Sequence, residues 1–319
     1  MSNVAEVIVT AILPTFLIIG VGVALEWAEG VDAGPLNTLT MFVLTPALTV
    51  HSIALTELDA SALLKISGGV VAFLAAALAA SWVVGRALGM KGAFFRAFEL
   101  VAAFGNAGSL GIPLSAFAFG AVGRQTAVLF AAVHGAFVFT VGMGIAASSG
   151  GESRLASLRE VLRYPIVYAV VVAAAARVAG VVPAADSAAM QTLGMVGDAS
   201  IPVMLVILGV QLAGTKYRHA LAGVVAPTAF RFVVSPAIGL AVALLLGFAN
   251  STVARVFVLL TAMPVAIAPV IFVVEFASDT TVRGVTLPEY VSVNVLVTTL
   301  VSIPVLTVVV YALQSGAII

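Results

Sequence analysis

Ten residues inside a long apolar run, Phe104-Gly105-Asn106-Ala107-Gly108-Ser109-Leu110-Gly111-Ile112-Pro113, are the stretch of this sequence best equipped for chemistry. Three glycines weaken a helix there, and Pro113 removes one ladder bond and blocks another. A second apolar run carries Met263-Pro264-Val265-Ala266-Ile267-Ala268-Pro269, with two prolines five apart. A helix interrupted in this way offers free N–H groups and partial positive charge where its second half begins, which suits a carboxylate. Asn106 and Ser109 add side-chain donors. The candidate binding set is therefore Asn106, Gly108, Ser109 and Pro113 from the first run, with Pro264, Ala266 and Pro269 from the second. The same glycines and prolines could simply let helices pack closely. Two interrupted runs at comparable depth favour the site.

Other polar residues lie in apolar surroundings. Arg231 sits near the middle of its run, where an arginine costs about 2.5 kcal/mol or more unless it faces protein or water. It either holds a substrate carboxylate or ties down helix carbonyls, with Ser235 one turn on. Asp198 could take up a coupling proton or cation. Its place before Ala-Ser-Ile-Pro also makes it a good helix cap, and that is the expected role. Glu99 is the other coupling candidate, seven residues before Asn106 and so expected on the same helical face. It also follows Arg96 by three, the spacing of a solvated pair. Glu275 ends its run at an interface. His51 and His134 are expected as packing residues within apolar runs, and His219 belongs to a basic rim.

Several chemistries have no residues to carry them. With no cysteine there is no disulfide, thiolate metal site or cysteine nucleophile. No phosphate loop is present, so ATP hydrolysis is not encoded. No paired aspartates, Ser/His couple or His-Glu-x-x-His run suggests an intramembrane enzyme, and the histidines lack metal-ligand spacing, so neither cofactor nor metal is expected. A formal net charge of zero gives no hint of nucleic acid.

The elements that must position these residues are membrane helices. Of the residues, 62% are hydrophobic and 9% charged, with a mean hydropathy of +1.22. A soluble domain carries about 25% charged residues, so lipid must be the outer solvent and the bilayer the first partner. The runs lack the alternation of barrel strands. Ten spans are expected, near 5–25, 36–55, 62–85, 94–119, 124–147, 160–180, 190–213, 219–247, 252–276 and 288–313. The first is expected to be a permanent helix, because Met1 to Glu6 is neutral to acidic rather than basic. One set of loops holds Arg86, Lys91, Arg96, Arg154, Arg159, Arg163, Lys216, Arg218 and Arg283; the other holds Lys65, Arg124, Arg177 and Arg255. The richer side is expected to be cytoplasmic, which puts both termini outside. Trp27 and Tyr164 fit interfacial anchors.

A Gly/Ser-rich linker, 148–160, separates five expected helices in 1–147 from five in 161–319. An odd number per half inverts the second against the first, the layout of inverted-repeat transporters. Pro46 and Pro202 are 156 residues apart, as are Pro113 and Pro269 (202 − 46 and 269 − 113), and each pair falls in equivalent helices.

Gly105 to Leu114 resembles the Asn-x-Gly-x-x-Gly-x-Pro-Leu signature of the auxin efflux carrier family. Similar to that family also are Leu44-Thr45-Pro46-Ala47-Leu48, Gly197-Asp198-Ala199 leading to Leu208-Gly209-Val210-Gln211-Leu212, Arg231-Phe232-Val233-Val234-Ser235-Pro236-Ala237, and Ala262-Met263-Pro264. The resemblance covers the chain in order. It implies an all-α membrane protein of ten transmembrane helices in two inverted five-helix repeats, with broken helices four and nine crossing at prolines. It further implies a homodimeric, elevator-like secondary transporter for small organic anions, either dicarboxylates or auxin-like acids. The chain departs from plant members in lacking a long central loop, and from many relatives in reading Ala266-Ile267-Ala268 before Pro269. Alternatives on the same scaffold are a sodium-coupled bile-acid-like symporter, a cation/proton exchanger, which would call for paired acids at the crossing, and a receptor or sensor without flux.

Overall fold

The computed structural model describes residues 4–56, 58–150, 165–213, 223–278, 280–282 and 284–319. The linker arginines, Tyr164, Lys216, Arg218, His219 and Arg283 lie outside the described residues. Helices α1 (Val4–Glu29), α2 (Ala33–Ala54) and α3 (Ala60–Ala87) come first. The short α4 (Gly92–Ala103) is followed by a 42-residue helix α5 (Ala107–Ser148). Then come α6 (Pro165–Val178) and α7 (Ala188–Ala213), followed by α8 (Val225–Leu246), α9 (Ser251–Thr261), α10 (Ala268–Ala277) and α11 (Leu287–Gln314). A two-stranded hairpin, β1 (Thr281–Val282) with β2 (Val285–Thr286), joins the last two helices.

Among the described residues, seven helices are long and apolar enough to cross a bilayer; α6, α9 and α10 are shorter apolar helices. The expected fourth span is divided by Phe104–Asn106 into α4 and the start of α5. The expected fifth is the second arm of α5, which kinks at Gly120 (φ 62°, ψ −146°), a backbone region that favours glycine. The expected ninth is divided into α9 and α10.

Proline shapes these helices one turn ahead of itself. A proline inside a helix has no N–H and crowds the carbonyl four residues back. The widened, i→i+5 turns at Ile8–Ile12, Thr40–Leu44, Ala107–Gly111 and Phe230–Val234 stand directly before Pro14, Pro46, Pro113 and Pro236. Each relieves that crowding by widening the ladder.

The helices pack in two groups. In one, α7 lies along α1 and α2, and α6 against α2. In the other, α3, α4, α5 and α8 to α11 pack on one another. Each group draws on both halves of the sequence. The α1–α7 seam depends on two glycines in backbone contact: a Cβ at Gly209 would lie 2.0 Å from the Ile19 carbonyl oxygen, and one at Gly22 would lie 2.1 Å from that of Val206. In lipid, helices are held by such close packing rather than by a hydrophobic drive. Arg177 of α6 closes the end of α2 by donating to the carbonyls of Ile53, Thr56 and Leu58.

Gly209→Ala should therefore destabilise the protein by about 3 kcal/mol, the upper range for overpacking. Gly20→Ala, with no heavy atom within 4 Å of the added methyl, should be neutral. Thermal unfolding in detergent of both variants checks this.

Candidate functional site

The two interruptions meet. Gly105 and Val265 form an antiparallel bridge, in which the Asn106 N–H donates to the Pro264 carbonyl (2.7 Å) and the Ala266 N–H donates to the Phe104 carbonyl (3.0 Å). Extended backbone thus satisfies itself across the crossing, as it must where no water reaches. Pro264 lies in the crossing. Pro113 lies seven residues into α5, and Pro269 in the first turn of α10, so these two stand just past the breaks.

On one side of the crossing the carbonyl ends of α4 and α9 face a single side chain. Arg231 is fully buried. Its Nε donates to the Met263 carbonyl (2.9 Å). Nη1 donates to Ala102 (3.2 Å), Ala103 (3.4 Å) and the Ser235 hydroxyl (3.2 Å). Nη2 donates to Thr261 (3.1 Å) and Met263. Of the two sequence readings, the structure gives Arg231 the second: every nitrogen is engaged on helix ends, and it does not line the cavity described below. Gly105 is required beside it, because a Cβ there would lie 2.1 Å from Nη2.

On the other side the amide ends of α5 and α10 border a cavity of about 240 Å3. Asn106 starts α5 as its cap, its Oδ1 accepting from the Ser109 N–H at 3.1 Å. Its Nδ2 has no hydrogen-bond partner among the described residues although the residue is 5% exposed. Gly108, Ser109 and Ala266 also line the cavity. Facing them are residues that sequence reasoning did not select: Asn37, Thr40, Met41 and Thr45 of α2 and Met204 of α7. His134 completes the wall, stacked on Phe130 (centroids 5.9 Å apart) and edge-on to Phe104. The cavity therefore lies between the two helix groups, and no Asp, Glu, Lys or Arg is among its described lining residues.

The coupling candidates fall elsewhere. Asp198 is not a cap: α7 begins at Ala188, with Ser187 ahead of it, and Asp198 lies mid-helix, paired with Arg124 of α5 at 2.5 Å. The pair joins the two helix groups, and Gln125 next to it accepts from the Thr56 hydroxyl at 3.0 Å. Glu99 shares no face with Asn106, because α4 ends at Ala103 before that spacing closes. It is buried, and its Oε2 lies 4.0 Å from Arg96 Nη1 without a hydrogen bond among the described residues. His51 packs against Gly194 of α7, and Glu275 is exposed. Among the described residues no group of three or more His, Asp or Glu could hold a metal.

A family model described as "Membrane transport protein" matches residues 7–310. The chain belongs to that family, to which the auxin efflux carriers also belong. Within it, this membrane transport protein is similar to an uncharacterized transporter of Methanothermobacter thermautotrophicus, 25% identical over 247 residues, 76% of this chain and 80% of the relative. The family and the apolar helices together make it a multi-pass membrane protein.

Two substitutions test the crossing of this transport protein. Arg231→Lys supplies three donors on one atom for carbonyls spread over two helix ends. Each buried carbonyl left bare costs about 1–3 kcal/mol, so a large drop in thermal stability is expected. Asp198→Asn, by contrast, breaks a pair whose acid is 60% exposed, a contact worth about 0.2–1 kcal/mol. Its melting temperature should change little.

Proposed function

We propose that this protein is a secondary transporter that carries a small organic anion by its carboxylate, bound at the crossing of two broken helices. The observation that carries the reading is Asn106, with its unpartnered Nδ2, lining the cavity beside the amide ends of α5 and α10, with no charged side chain among the described lining residues. Each helix start contributes partial positive charge, worth up to about 2 kcal/mol to an anion in a partly buried geometry. Anion binding then needs no cationic side chain, and a single carboxylate is the charge that these donors fit. Asn106, Gly108, Ser109 and Ala266 are its expected contacts. Met41, Ile112, Val138, Phe139 and Met204 suit an apolar body.

The rest of the reading follows the family. Ten membrane crossings are counted when α4 with the first arm of α5 is taken as one and α9 with α10 as another. They form two inverted five-helix repeats, with both termini outside the cytoplasm. One helix group holds still, as a homodimer, while the other carries the crossing past it in an elevator-type alternating access. A cation exchanger fits poorly, since no acid is among the described residues that line the cavity.

Uptake by proteoliposomes tests the reading. Asn106→Asp keeps a capping oxygen for Ser109 but replaces the free donor with negative charge. It should fold like the wild type and lose uptake of carboxylates by at least about tenfold, the equivalent of 1.4 kcal/mol. Unchanged uptake in Asn106→Asp sinks the proposal.

A further inference from the structure

The cavity has two walls, one from each helix group. Of the buried side-chain polar atoms without a hydrogen-bond partner, two belong to residues that line it: Nδ2 of Asn106 on the crossing and Oγ1 of Thr40 on α2. Thr40 is 7% exposed. A helical threonine ordinarily gives its hydroxyl to the carbonyl four residues back. Its neighbours do so: Thr38 donates to Gly34 at 3.1 Å and Thr49 to Thr45 at 2.8 Å. Thr40, where the widened turn before Pro46 begins, does not. A buried hydroxyl left unpaired is costly, and a ligand that supplies its partner recovers that cost.

We propose that Thr40 is a specificity-determining residue of the transport site. Its hydroxyl takes a neutral oxygen, hydroxyl or keto, on the body of the monocarboxylate whose charged end is held at Asn106. The inference rests on the anion reading above and deepens it. Among the described residues the wall around Thr40 carries Asn37 and Thr45 and no cation, so a second carboxylate would be buried there without a counter-charge. Hydroxy- and oxo-monocarboxylates are therefore selected over both dicarboxylates and plain fatty acids. A site that hydrogen-bonds a substrate oxygen discriminates strongly against the analogue lacking it, because its own polar group is then left unpaired.

The test uses matched acids on the purified full chain: ω-hydroxy acids of four to eight carbons, their unsubstituted parents and the corresponding dicarboxylates. Binding is read by ligand-induced thermal stabilisation. In the wild type, at one or more chain lengths, the hydroxy acid should bind about tenfold more tightly than its parent, as one recovered hydrogen bond implies. Thr40→Val, of the same shape, should erase that margin by weakening the hydroxy acid alone. Thr40→Ser, which keeps the hydroxyl, should preserve it and covers the case in which the valine variant does not fold. Equal binding of hydroxy acid and parent at every length overturns the inference while leaving the anion site standing. So does tighter binding of dicarboxylates, a valine variant that weakens both acids alike, or a serine variant that loses the margin. A wild type that responds to no acid overturns the anion reading and this inference together.

Discussion

One buried guanidinium makes the rest of this structure possible. Interrupting a helix inside hydrocarbon strands carbonyls on one side of the break and amides on the other, with no water to satisfy either. Here two interrupted helices bring their carbonyl ends, each equivalent to roughly half a negative charge, to the same arginine. Two halves balance one cation, which accounts for a fully buried Arg231 with no acidic partner among the described residues. The negative ends are thereby closed from within the protein. The positive ends, at Ala107 and Ala268, are left for something else.

The two helix groups give that arrangement a setting. The α1–α7 seam, where glycines bring backbones into contact, is a poor place for sliding. The boundary through the cavity is looser in kind: side chains of α2 and α7 face the crossing across open space, and polar links run from Arg124 to Asp198 and from Thr56 to Gln125. The structure thus divides into one seam closed by backbone contact and one boundary that holds the cavity.

Much of this was legible in the sequence, and what was not has physical reasons. Glycines and prolines report backbone interruptions locally, so the breaks near Asn106 and Val265 could be read from composition alone. The unwound stretch is shorter than those residues suggested, because Pro113 widens the turn ahead of it instead of ending the helix. Arg231 could be seen to be expensive, but not which way it faced. Asp198 resembles a cap because Ala-Ser-Ile-Pro follows it, whereas α7 begins at Ala188 and carries Pro202 inside it. Thr40 and His134 were silent: a threonine or histidine in an apolar run looks like any packing residue until a second helix group is set against it.

The crossing itself is made from main-chain atoms, Asn106 N–H to Pro264 and Ala266 N–H to Phe104. Apart from Gly105, whose missing side chain admits the arginine, the joint asks little of the residue types that form it. Side chains at neighbouring positions such as Ala266-Ile267-Ala268 can therefore vary without breaking a joint made of peptide groups.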